Sequence, residues 1–218
     1  MSGIRLVVVG GGEHARVVAE AARSSGRISL LGFVDPHACE ETTRRLALPW
    51  LGDDAALAEL DAMAVLGVGA AGTRPVRQDV VARVHGLVRG WMAVVHAAAW
   101  VSPTAVVEDG AFISAGATVN SGARVGRHCI VNSGAVVEHD VVLGDFALIA
   151  PGAVIGGGSV IGGGAFIGLG AILRDHVHVG AGAMVKMGTV VLADVPEGAR
   201  IGGPMGLTRG SPDAGNQA

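Results

Sequence analysis

Tyrosine is absent from this 218-residue sequence, and aromatic residues of every kind amount to 3%. Apolar residues still make up 50%, so a sizeable core is available, built from Val, Ile, Leu and Ala rather than from rings. Strong charge is missing as well: 16 Lys+Arg face 19 Asp+Glu, a net −3, and no basic block stands out. With neither a phosphate-neutralising patch nor rings for stacking, the composition argues against nucleic acid as a partner. Two cysteines, Cys39 and Cys129, are too few for a disulfide framework or a four-thiolate metal site. The opening MSGIRLVVVGGG runs into glycine after one short apolar run, which does not fit a signal peptide. The cytoplasm is the expected compartment.

Glycine is abundant, at 36 of 218 residues, but without the Gly-X-Y period of collagen. From Phe146 to Leu173 run 28 residues without a charge, longer than the roughly 20 that span a bilayer. Nine of them are Gly and one is Pro, and a stricter pattern accounts for the stretch, so no membrane insertion is expected. From Val101 to Pro196 the chain divides into sixteen hexapeptides without insertion, and the first position of all sixteen is Val, Ile or Leu. The fifth position is Ala in ten of them. On a helix a six-residue step would scatter these side chains over three faces. A β-solenoid instead places one aliphatic and one small residue inward per short strand, with Gly, Asn or Asp at corners that need φ > 0. The repeat is that of a left-handed parallel β-helix, three hexapeptides to a coil. Sixteen predict about five coils and a prism roughly 25 Å long.

The first hundred residues follow another rhythm. Residues 4–9 (IRLVVV) read as a buried strand, followed by Gly10-Gly11-Gly12 and an amphipathic helix to about Ser24. Further apolar runs end at Asp35 (SLLGFVD) and cover 62–69 (AMAVLGVG), and a helical stretch spans about Pro75 to Val88. Strands alternating with helices predict a parallel sheet with a ligand site at the strand C-termini. The glycine turn fits G-x-G-x-x-A, and Asp35, 20 residues beyond Ala15, stands where a ribose-binding carboxylate often sits. Fewer than 100 residues allow one βαβαβ half, which suits a mononucleotide or nucleotide-sugar better than a dinucleotide. The expected domains are a Rossmann-like nucleotide-sugar-binding unit over 1–95, the β-helix over 96–205 and a disordered tail over 206–218.

Among eight histidines, His14 follows the glycine loop, where it could face a phosphate. Only His139 has acids on both sides, in Glu138-His139-Asp140, at the third hexapeptide position, where a side chain leaves the core. A neighbouring carboxylate raises the basicity of an imidazole and orients it, as a general base near neutral pH requires.

The combination of a small Rossmann-like unit and this solenoid resembles the bacterial sugar O- and N-acetyltransferases of the sialic acid, bacillosamine and perosamine type. The resemblance runs over about residues 4–205. It is carried by VGGGEHARVV at 9–18, GFVD at 32–35, VSPTAVVEDGAFISAGATVN at 101–120 and, above all, VNSGAVVEHDVVLGDFALIAPGAVIGGG at 131–158. It implies acetyl-CoA as co-substrate, no metal, a homotrimer and a place in O-antigen or polysaccharide biosynthesis. It makes His139 the general base, Asp140 its orienting acid and Gly157 the backbone N–H donor to the thioester carbonyl. Gly12, Glu13, His14, Asp35, Pro36 and Gly69 fall at nucleotide-sugar positions, and acetyl-CoA would lie near Leu169 and Met187. One departure stands out: Leu148 occupies a cofactor-contacting position that is a histidine in relatives, so oxyanion stabilisation should rest more on Gly157.

The acceptor implied is the amine of a nucleotide-linked 4-amino-4,6-dideoxy sugar, with GDP-perosamine favoured by overall likeness. A hydroxyl acceptor of the sialic acid type could use the same base. Two other readings compete. A γ-type carbonic anhydrase shares the solenoid, but His128, His139 and the His176/His178 pair lack that family's close pair of zinc ligands. A non-catalytic nucleotide-binding scaffold is the other, and Leu148 favours it.

Overall fold

The computed structural model describes residues 3–69 and 76–202, so the expected tail at 206–218 lies outside the described residues. The chain opens with β1 (Ile4–Val9), α1 (Glu13–Ser24), β2 (Ile28–Val34), α2 (Glu40–Leu46), β3 (Met63–Leu66) and α3 (Val76–Val84). The sheet is wholly parallel, in the order β2-β1-β3, and its central strand is buried from Leu6 to Val9. This is the expected α/β half, since β1 is flanked on both sides and reads as a continuous apolar run. Two elements were not expected, α2 and a 3₁₀ turn at Asp54–Glu59. Both are short and polar, and α2 has one buried residue, Leu46, so neither carries a readable periodicity.

Beyond Val94 the chain winds as a left-handed β-helix of two-residue strands, each made from the sixth position of one hexapeptide and the first of the next. First-position side chains from Ile113 to Val191 are all buried, stacked with the alanines of the fifth position. The prism has about six coils rather than the expected five. It begins before the first full hexapeptide, at Val94–Val95, and continues past the last, to Arg200–Ile201, so its three sheets hold seven, six and five strands. The corners meet expectation in part. Most positive-φ positions of the solenoid are glycine and Asp140 (φ 58°) is of an expected type, but His128 (φ 55°), Phe146 (φ 62°) and His176 (φ 54°) are not, and among the described residues no Asn takes such a corner. A bulky residue in this region is strained and must be held by its surroundings.

Those surroundings are partly the N-terminal domain. The seven-stranded face, with Phe112, Ile130, Leu148 and Ala150, shares one apolar cluster with Ala15, Val18, Ala19 and Ala22 of α1. At an adjacent corner α3 inserts Arg77, only 7% exposed, whose guanidinium donates to the carbonyls of Phe146 (3.1 Å) and His128. Phe146 stacks on His128 (centroids 4.9 Å apart), and Trp91 meets the His128 ring edge-on at 4.7 Å. Burial, and then the Arg77 charge, hold the His128 pKa down to about 4. Among the described residues nothing covers the six-stranded face, which exposes Trp100, Ile172 and Val190, with Leu192 just beyond it.

Candidate active site

Two sets of residues are brought together. The first is a cleft of about 690 Å³ at the C-terminal ends of the three-stranded sheet, lined by Gly10–Glu13, His14, Arg16, Asp35, Arg45 and Gly67–Gly69 among others. The loop is tight. A Cβ on Gly67 would stand 2.6–2.8 Å from Val8, Ala15 and the Gly10 carbonyl, so strand, loop and helix meet only around bare backbone. Two of the three loop amides are committed within the protein: Gly10 N–H donates to Val34 O (2.8 Å) and Gly11 N–H to Asp35 Oδ2 (2.6 Å). Gly12, the N-cap of α1, and the first turn of that helix present the remaining donors. The other oxygen of Asp35 accepts from His37 N–H at 2.7 Å. The carboxylate therefore staples β2 to the loop while standing at the cleft wall.

His14 faces inward rather than toward the cleft mouth. Its ring meets Phe112 of the solenoid edge-on at 5.2 Å and lies against Gly69, and Nε2 is buried with no partner among the described residues. Burial, and then Arg77, push its pKa down to about 4, so it is neutral near pH 7. Arg16 and Arg45 are cleft residues that sequence reasoning passed over. Arg45 donates to Gly11 O at 2.8 Å, an i to i+34 contact that no local pattern displays.

The second set lies on one edge of the prism. His139 Nδ1 is 3.0 Å from Asp140 Oδ2, and the ring is largely exposed, at 62%. A carboxylate can only accept, so Nδ1 carries the hydrogen and Nε2 is left with a lone pair. The hydrogen bond to Asp140, reinforced by the charges of Asp140 and Glu138, raises the His139 pKa above its ordinary value. Glu138 is in turn held by Asn120 Nδ2 at 3.0 Å. One coil on, Gly157 lies directly beneath the ring: a Cβ there would stand 2.6 Å from Nε2. Among the described residues nothing accepts from the Gly157 N–H, although its neighbour Gly158 donates to His139 O (2.9 Å). A base with a free lone pair thus adjoins a free amide donor.

The other expected residues are elsewhere. Leu169 and Met187, 49% and 60% exposed, lie on a different prism edge, across the uncovered apolar face from His139. Leu148 is 7% exposed and belongs to the cluster beneath the N-terminal domain. Cys129 is fully buried, its Sγ donating to Gly144 O at 3.0 Å, and burial pushes its pKa up to about 12. Neither it nor any described group of three His, Cys, Asp or Glu forms a metal site.

Comparisons with known proteins decide the family. The PglD N-terminal domain family matches residues 5–84, and the six-repeat bacterial transferase hexapeptide family matches 104–139 and 122–157. The acetyltransferase domain of PglB from Neisseria gonorrhoeae, solved with acetyl coenzyme A, is 30% identical, with 92% of this chain and 97% of that chain covered and a TM-score of 0.81. PerB from Caulobacter crescentus, solved with CoA and GDP-perosamine, is 31% identical over 89% of this chain and 92% of its own, with a TM-score of 0.79. The chain belongs to the hexapeptide-repeat sugar acetyltransferases. WeeI from Acinetobacter baumannii, at 24% identity and a TM-score of 0.77, shares the fold. A comparison with curated proteins gave no sequence match. As a sugar acetyltransferase of the PglD and PerB type the chain is an enzyme, and acetyl-CoA is the acyl donor of its family. Among the described residues no helix is long and apolar enough to cross a membrane.

Proposed function

We propose that the protein transfers an acetyl group from acetyl-CoA to the 4-amino group of a nucleotide-linked 4-amino-4,6-dideoxy sugar, GDP-perosamine in the first instance. The observation that carries this reading is the Asp140–His139–Gly157 arrangement, a poised base over a free amide donor. The nucleotide occupies the glycine-loop cleft, held by Gly12, Glu13, Asp35, Pro36 and Gly69, while the inward-facing His14 ring packs behind Gly69 and offers the ligand no more than its backbone. PerB, whose structure contains both CoA and GDP-perosamine, supports the choice of sugar.

The step is a direct transfer. The sugar amine attacks the thioester carbonyl, a C–N bond forms, and His139 Nε2 accepts the amine proton. Asp140 stabilises the imidazolium that results. The Gly157 N–H donates to the developing oxyanion, a contribution typically of about 3 kcal/mol. Collapse breaks the C–S bond, and the proton passes from His139 to the departing CoA sulfur. Leu148, packed beneath the N-terminal domain, is not at this edge, so within the chain the oxyanion depends on Gly157.

The working unit is a homotrimer in the cytoplasm. The uncovered apolar face lies between the His139 edge and the edge carrying Leu169 and Met187, and one chain cannot bring those edges together. Cyclic closure over that face sets the base of one protomer beside the acetyl-CoA edge of the next. The test is CoA release followed by thiol titration, with GDP-perosamine, the corresponding UDP-linked amine and a hydroxyl acceptor run in parallel. Turnover restricted to the hydroxyl acceptor would replace the amine reading with the sialic acid type. Light scattering at 21.7 kDa with intact activity would remove the trimer.

A further inference from the structure

We propose that Trp50 is the platform on which the substrate's nucleobase stacks, and that it favours a purine. This deepens, and rests on, the nucleotide-sugar reading of the N-terminal domain. In a parallel α/β half the phosphates sit at the turn after β1 and the ribose at the carboxylate that ends β2. Continuing past Asp35 in the same direction leads to the outer side of β2, which is the edge of the sheet. There the segment 49–52 runs alongside it. Phe33 N–H donates to Pro49 O (2.9 Å), Leu51 N–H to Phe33 O (2.9 Å) and Asp35 N–H to Gly52 O (3.1 Å).

This ladder fixes Trp50 beside Asp35, and the indole Nε1–H donates to the Asp35 carbonyl at 3.2 Å. The ring is therefore oriented, and its one polar atom is satisfied. Yet it is 50% exposed and belongs to none of the three apolar clusters. Trp50 is not itself part of the cleft lining, but in a chain with three Trp and no Tyr, an oriented, half-exposed indole hydrogen-bonded to Asp35, a residue of the cleft wall, is placed to meet a base that extends past the ribose. Stacking is tolerant of base identity but grows with overlap, and two fused rings cover more of an indole than one.

The experiment is calorimetric titration of GDP and of UDP into the full-length protein and its Trp50→Ala, Trp50→Phe and Asp35→Ala variants. Acetyl-CoA affinity, measured on each, checks that the solenoid is intact. Trp50→Ala should weaken GDP about tenfold, within the range for a stacked base. Trp50→Phe should restore most of that loss, and UDP should suffer less than GDP. GDP affinity unchanged in Trp50→Ala but lost in Asp35→Ala would overturn the platform and leave the nucleotide site standing. Equal losses for GDP and UDP would overturn the purine preference. Failure of the unmodified protein to bind either nucleotide would overturn both the proposal and the reading beneath it.

Discussion

The imidazole of His139 rests on the Cα of Gly157, one coil further along the same corner, so closely that a methyl group there would stand 2.6 Å from Nε2. Gly157 does not have a positive φ, so alanine is acceptable to its backbone, and the constraint is the ring above it. Gly157→Ala should therefore leave the fold intact while tilting His139 away from its substrate. A fall in kcat of about 10²–10⁴, the range of general base catalysis, is expected with little change in thermal midpoint. Normal turnover in this variant would remove His139 from the reaction.

The hydrogen bond from His139 to Asp140 gives the pH dependence its sign. A base works when unprotonated, and Asp140 raises the His139 pKa, so kcat should rise with pH through a midpoint above the ordinary histidine value. Asp140→Asn should move that midpoint down and lower the plateau, whereas His139→Asn should lose most turnover at pH 7 with both ligands still bound. The rate of His139→Asn should recover in part at high pH, where the amine is already neutral. A pH–rate profile of all three proteins reads these outcomes, and an unmoved midpoint in Asp140→Asn would contradict the pairing.

His14 and His128 should make the protein acid-labile well above the carboxylate range. His128 is buried and His14 half-buried with its Nε2 enclosed, and each is neutral, with a pKa near 4 in the folded chain against about 6.5 in the unfolded one. The unfolded state therefore binds more protons between these values, and stability falls as pH drops from about 6.5 towards 4. At about 1.4 kcal/mol per pH step, each histidine costs a few kcal/mol across the window. Thermal midpoints measured from pH 7 to 4 should show the slope, and His128→Asn, which tolerates φ near 55°, should flatten it.

Arg77 adds a polar link between the domains to the apolar cluster that they share. Arg77→Ala would strand the carbonyls of His128 and Phe146, two corner residues with positive φ, beneath the N-terminal domain. A loss of about 2 kcal/mol is expected from hydrogen bonds to a charged donor, visible as a lower denaturation midpoint. A midpoint unchanged by the substitution would show that water replaces the guanidinium without cost.

Residue order alone specifies the solenoid, because a closed coil repeats its inward positions at a fixed interval and leaves an unbroken aliphatic register. It likewise determined β1, the glycine turn and the candidate base, since His139 and Asp140 are adjacent and their pairing is local. Tertiary structure decided what adjacency could not. The meeting of His139 with Gly157 depends on the rise of one coil, and the placing of Leu169 and Met187 on another edge depends on its three-sided winding. Arg77 reached the corner at Phe146, and Arg45 the glycine loop, only because separate elements pack face to face. The exposed indole of Trp50 is of the same kind. Its position follows from a segment paired along the edge of β2, an interaction made by backbone atoms, which carry no side-chain signature in the sequence.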